Sequence, residues 1–209
     1  MIAIFGGTFD PIHLGHLNMA NHCIEELSLD LLHFLPNAAP VHKQGPGVST
    51  QHRLEMLRIA ITGNPKFALD DRELKRVEPS YSVLTLQELR KEHPLQPIVF
   101  LMGMDSFNSL DKWHQWGEIT QLCHIVVYRR PGDEYTAPPA LASFLKQSQA
   151  LSPAELHDCL FGKCYFLSGA PFSAASSEIR KAIKSGLSVE PWLCPNVLNY
   201  IDKNKLYSD

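Results

Sequence analysis

The sequence predicts an α/β protein built on an open, doubly wound, mostly parallel sheet. Three features predict it. Short apolar runs of strand length alternate with segments whose apolar residues recur every three or four positions, the pattern of βαβ units. The strands number about five or six, too few for an eight-stranded barrel. The first strand ends on Gly6 and Gly7 and runs at once into a helical pattern, which is how such sheets build ligand sites.

In chain order, residues 1–5 (MIAIF) read as a short buried strand stopped by the two glycines. From 13 to 27, Leu14, Leu17, Ala20, Ile24 and Leu27 keep helical spacing. A second strand at 31–36 ends at Pro36, and a polar loop with Pro40, Gly45, Pro46 and Gly47 follows. Leu54, Leu57 and Ile61 mark a helix over 50–62, and FALDD at 66–70 reads as a strand. A helix is expected from 82 to 93, with Pro94 just past its end. Strands follow at 97–103 and 124–130, then 165–168; helices at 176–184 and 196–203 finish the pattern. Residues 131–162 interrupt the alternation and, being rich in Pro, Ala, Ser and Leu, read as a surface insertion of one or two small helices. The expectation is one domain over residues 1–209.

Composition narrows the partners. The chain is 44% hydrophobic and 20% charged, with a net charge of -3. No broad positive field invites nucleic acid or an anionic membrane, so an anionic ligand must be met by a few local charges. The five cysteines are odd in number and include no CxxC pair, so no disulfide framework is expected. No apolar stretch approaches a membrane span and no basic region precedes the first apolar run. A reducing cytoplasm is the expected compartment.

The chemistry centres on GGTFDPIHLGH at 6–16. A strand, a glycine turn and a helix start make an anion site, with backbone N–H groups and the positive helix end facing the ligand. The stretch is not GxGxxG, and no GxxxxGK[ST] occurs anywhere. His13 and His16, three residues apart in the first helical turn, can face one side; as imidazolium they would donate to phosphate. Gly15 between them leaves room for a ligand or another backbone. The pair could instead be capping or surface histidines. A metal would need a third ligand, and HxxH lacks the glutamate of a zincin, so no metal site is expected.

GGTFDPIHLGH resembles the amino-terminal motif of the nucleotidylyltransferase superfamily, with its HxGH box, and SSEIR at 176–180 resembles the superfamily's second box. PNAAPVHK (36–43), RELKRVEPSYS (72–82), GMDSFNSLDKW (103–113) and VVYRRPG (126–132) resemble the nicotinate-nucleotide adenylyltransferase family over nearly the whole chain. Two departures stand out: Ser82 where the family often has Thr, and Ala175 where it often has another Ser. The resemblance implies adenylyl transfer from ATP to nicotinate mononucleotide, giving deamido-NAD and pyrophosphate. It implies Mg2+ with the ATP. Nicotinamide mononucleotide, phosphopantetheine or another phosphate ester would use the same chemistry. A non-catalytic nucleotide sensor and a zinc hydrolase are readings of different kinds.

The resemblance also assigns roles. Gly6, Gly7, Thr8, His13 and His16 would line the ATP phosphates, with His16 at the α-phosphoryl group. Lys43 would follow the phosphates as a mobile charge, or be a solvated loop lysine. Arg180, in the first turn of a helix opened by Ser176 and Ser177, would join them in holding the β- and γ-phosphates, or be an exposed residue beside an ordinary N-cap. Asp105, just past a strand end, would accept ribose hydroxyls or cap a helix. Trp113 would stack on the pyridine or belong to the core. Tyr81 and Ser82 would offer backbone N–H groups to the nicotinate carboxylate. One of Arg129 and Arg130 would reach the acceptor phosphate or adenosine.

Overall fold

Every strand runs parallel to its neighbours in the sheet, in the order β3-β2-β1-β4-β5-β6. The structure, a computed structural model, describes residues 1–38, 47–76, 80–129, 134–136, 138–170 and 172–208. The strands are β1 (Ile2–Gly7), β2 (Leu32–Pro36), β3 (Phe67–Leu69), β4 (Ile98–Gly103), β5 (His124–Tyr128) and β6 (Cys164–Phe166). The helices are α1 (Leu14–Glu26), α2 (Thr50–Ile61), α3 (Ser82–Glu92), α4 (Met104–Phe107), α5 (Trp116–Leu122), α6 (Pro139–Ser148), α7 (Ser176–Lys184) and α8 (Pro195–Lys203).

Period-two alternation along the strands divides the core into two layers. Ala3, Phe5, Val99, Leu101, Val126 and Tyr128 face one side, where α1, α2, α7 and α8 pack. Ile4, Ile98, Phe100, Met102, Ile125 and Val127 face the other, covered by α3, α4, α5 and Leu141 of α6. Both faces of the central strands are therefore apolar, as the near-continuous hydrophobic runs in the sequence require. β1 lies between β2 and β4. The strand order reverses there, so β1 and β4 flank the crevice in which open sheets bind ligands.

The helix over 116–122 has no counterpart in the sequence reading, and the reason is local. It begins after Gln115, a non-glycine residue in the left-handed region (φ 51), has no side-chain cap, and buries Ile119 alone. It carries neither the start signal nor the length that makes a helix readable. The segment expected to be an insertion contains α6 and a 3-10 turn at Pro153–Leu156. Among the described residues, no helix is long and apolar enough to cross a membrane.

Candidate active site

The glycine turn is shaped by aromatic rings. A Cβ on Gly6 would lie 2.8 Å from the Phe100 ring, and one on Gly7 2.8 Å from the Phe9 ring. Phe9 itself takes a left-handed backbone (φ 49) and packs edge-on against His16, ring centroids 5.1 Å apart. His13 is not in the helix but is its N-cap. His16 N donates to His13 Nδ1 and His13 N donates to His16 Nδ1, each at 3.3 Å, and the two rings stack with centroids 3.7 Å apart. This reciprocal capping uses imidazoles where Ser and Glu are usual.

It also decides the tautomer. Each Nδ1 meets a backbone N–H and must accept, so each ring proton is on Nε2, across the ring from the helix backbone. With Nδ1 accepting in both rings, Nε2 is the donor atom of each histidine. The helix end offers less than expected, because Leu14 N donates to Trp192 O at 2.8 Å and His16 N is held by His13. Gly15 makes room for protein, not only for a ligand: a Cβ there would come within 3.0 Å of His13 Nδ1 and 3.3 Å of Ala174 Cβ.

Beside the pair is a polar cluster that spans the chain. Asp10 is only 4% exposed. Its Oδ1 accepts from Tyr207 OH at 2.7 Å, and its Oδ2 accepts from Gly47 N at 2.6 Å. Arg180 Nη1 donates to the Asp10 main-chain oxygen at 2.7 Å and lies 3.7 Å from Oδ2. Arg180 is the fifth residue of α7 and so opens its second turn, not its first. Ala175 is the N-cap and offers no side-chain oxygen. Ser176 donates to Pro11 O at 3.0 Å, joining the two sequence boxes, while Ser177 is exposed. Arg53 escaped the sequence reading. It is fully buried, and donates to Thr8 O (2.6 Å), Asn37 O (2.8 Å) and Ala38 O (2.9 Å). An arginine in an otherwise apolar helical stripe was its only trace in the sequence.

A second group of expected residues gathers at the other side of β4. Trp113 is half-buried and packs edge-on against Phe100, centroids 6.0 Å apart, so the ring beneath Gly6 also supports Trp113. Tyr81 is the N-cap of α3, with no side-chain cap, and its ring stacks on His114 at 4.3 Å. The N–H groups at the start of α3, Ser82 first, thus lie beside the segment that carries Trp113. The approach to α3 is staked by the buried Glu73, which accepts from Thr85 Oγ1 at 2.9 Å, and by Arg76, which donates to Ser80 Oγ at 2.7 Å. Burial pushes the Glu73 carboxyl up, against the downward pull of Thr85, Ser80 and Arg76. Asp105 is exposed in the first turn of α4, whose N-cap is Gly103, so it is not a cap. Arg129 is exposed just past β5. Lys43 and Arg130 lie outside the described residues.

Residues 4–184 match the cytidylyltransferase-like family model. A relative from Psychromonas ingrahamii named "Probable nicotinate-nucleotide adenylyltransferase" is 39% identical, over 99% of this chain and 96% of its own length. One of the same name from Aeromonas hydrophila is 40% identical with the same coverage. The chain belongs to the nicotinate-nucleotide adenylyltransferase family. The solved Plasmodium falciparum nicotinic acid mononucleotide adenylyltransferase complexed with NaAD has the same fold, with a TM-score of 0.77 at 21% identity, over 99% of this chain and 96% of that one.

In this adenylyltransferase-family chain, α1 is also the support for the approach to the second box. Asn18, His22 and Glu26 recur every four residues along one stripe. Asn18 Nδ2 donates to Tyr128 OH (2.7 Å) and Ala170 O (3.1 Å), and Glu26 accepts from Tyr165 OH at 2.6 Å and from Ser168 N at 3.0 Å. Gly169 must lack a Cβ because one would fall 2.3 Å from the His22 ring. The histidine pair does not suit a metal: ligation through Nε2 would move a proton to Nδ1 and break both capping bonds. Among the described residues no group of three His, Cys, Asp or Glu side chains could hold an ion.

Proposed function

We propose that the chain transfers the adenylyl group of ATP to nicotinate mononucleotide, releasing pyrophosphate and forming deamido-NAD in NAD biosynthesis. The observation that carries this reading is the histidine pair, locked by mutual capping so that two N–H donors turn away from the helix beside the glycine turn. It is supported by membership of a family whose relatives carry that name over nearly their whole length.

The acceptor's phosphate oxygen attacks the α-phosphorus in line. The bond to the bridging α–β oxygen breaks, and pyrophosphate leaves with the electron pair. Such a reaction needs positioning and charge neutralisation rather than covalent chemistry. His16, half-buried, donates to the α-phosphoryl oxygen as charge develops there. His13 supports it by stacking and shares the contact with the phosphates. Ser176, Ser177 and Arg180 hold the outer phosphates, Gly6, Gly7 and Thr8 line the turn, and Lys43 adds a charge. Asp105 takes ribose hydroxyls, and Arg129 or Arg130 meets the acceptor phosphate. Mg2+ would come with the triphosphate rather than from a protein site, and the chemistry it would supply is neutralisation of phosphate charge. The five free thiols suit a reducing cytoplasm.

Acceptor choice rests on Trp113 and the start of α3. A carboxylate accepts from backbone N–H groups with both oxygens; a carboxamide would turn its NH2 toward one of them. An unpaired buried donor costs about 1–3 kcal/mol and the lost charge adds to this, so nicotinate is favoured about tenfold to several hundredfold. Pyrophosphate release measured with ATP and a panel of acceptors tests the function. Nicotinate mononucleotide should give the highest kcat/KM, Trp113→Ala should weaken both pyridine acceptors while sparing ATP, and chelation of divalent ions should stop turnover. Equal values for the two pyridines would overturn the acceptor pocket, and no release with any acceptor would overturn the activity.

A further inference from the structure

We propose that Tyr207 is a positioning residue for ATP: its hydroxyl occupies Asp10 Oδ1 and thereby keeps the Arg180 guanidinium available to the triphosphate. The inference rests on the assignment of Arg180 to the phosphates made above.

Asp10 is a nearly buried carboxylate, and such a group must be hydrogen-bonded. Tyr207 OH takes Oδ1 and Gly47 N takes Oδ2. Arg180 is consequently not forked onto the carboxylate. It spends its 2.7 Å bond on the Asp10 main-chain oxygen and stands off Oδ2 at 3.7 Å. The strong arginine–carboxylate pairing uses both oxygens at once, and the phenol takes one of the two acceptor sites on Oδ1 and crowds the approach to the other. Burial, and then the Asp10 hydrogen bond, push the Tyr207 hydroxyl up, so it remains a donor.

The arrangement is tightly specified. A Cβ on Gly47 would lie 3.2 Å from Arg180 Cδ, 3.2 Å from Tyr207 Cε1 and 3.4 Å from Asp10 Oδ2, so the three side chains close around a residue that has none. Lys205 and Tyr207 both take left-handed backbone (φ 52 and φ 64), with Leu206 buried between them. Two non-glycine residues held in that region mark a segment whose path is dictated by what it must reach. Without the hydroxyl, Oδ1 would draw in the guanidinium, and the triphosphate would have to compete for Arg180.

The test is calorimetric titration of the full chain with Mg-ATP, together with steady-state kinetics. Tyr207→Phe should raise the Kd and KM for ATP about tenfold, the scale of one hydrogen bond to a charged group. The KM for the acceptor should not change, and kcat should stay within about twofold. Adding Asp10→Asn to Tyr207→Phe should bring the ATP Kd back toward wild type, because the neutral amide does not compete for a guanidinium. A purely structural defect would deepen with the second substitution instead. Arg180→Ala separates the two layers of the argument. If it raises the ATP Kd and Tyr207→Phe does not, or if Asp10→Asn fails to rescue, the positioning role is overturned. If Arg180→Ala leaves the ATP Kd unchanged, the assignment of Arg180 falls first and the role of Tyr207 with it.

Discussion

His16→Ala is expected to lower kcat by about 10²- to 10³-fold while the KM for ATP rises only modestly. The ring presents a preset Nε2–H donor, with its tautomer fixed by the His13 N–H on Nδ1. A donor aimed at charge that appears mainly in the transition state acts on kcat, and one such donor is commonly worth about 3–4 kcal/mol. The substitution also removes half of the capping box, which costs stability of about 1 kcal/mol. Kinetics should therefore be read well below the melting temperature of the variant. His13→Ala should differ in kind. It removes the N-cap itself, so its stability loss should be the larger of the two. Turnover of His16→Ala within about threefold of wild type would remove the ring from the mechanism.

The second large effect is expected at a buried residue that braces the glycine turn from behind. Arg53→Met should lower stability by about 3–5 kcal/mol. Methionine matches the length of the stem but donates nothing, so three half-buried main-chain oxygens, those of Thr8, Asn37 and Ala38, lose the Arg53 donor. A buried acceptor left without a partner costs about 1–3 kcal/mol, and breaking a buried charged network costs about 3–5 kcal/mol. For a chain of this size that corresponds to a fall in Tm of roughly 10 °C. Activity should fall as well, because Thr8 closes the glycine turn and Asn37 N bonds Gly7 O at 3.0 Å. Leu57→Ala, at a fully buried position of the same helix, is the control. It should cost a similar amount of stability yet keep kcat at temperatures where it is folded. A Tm for Arg53→Met within about 2 °C of wild type would overturn this account.

How far the sequence could be read follows from how local each signal is. The β1 turn and HLGH are contiguous, so strand, turn and helix could be read together with the phosphate chemistry they suit. The alternation of Ala3, Ile4 and Phe5 between two core layers likewise follows from strand geometry alone. The mutual capping was not readable, since HxxH allows a metal pair, a surface pair or a cap, and only the direction of the Nδ1 atoms decides. Arg53 and Tyr207 stayed hidden for a different reason. Their partners, Thr8 and Asp10, are far away in sequence, and no period or motif encodes such a pairing. The space beside Gly15 was foreseen, but its filling by His13 and Ala174 depends on where the segment before α7 passes. That course is set by the Asn18, His22 and Glu26 stripe.

The central position of β1 has a consequence for how the protein acquires its shape. β1 joins β2 through a near neighbour in sequence, but it joins β4 by pairing residues 2–5 with residues 98–101, across most of the first half of the chain. Closing so long a loop is entropically costly, and contacts of this kind slow folding. The β1-β2-β3 half can form early, whereas the crevice between β1 and β4 exists only once the two halves have met. Catalytic competence should therefore return late during refolding, after most of the helical signal has already recovered.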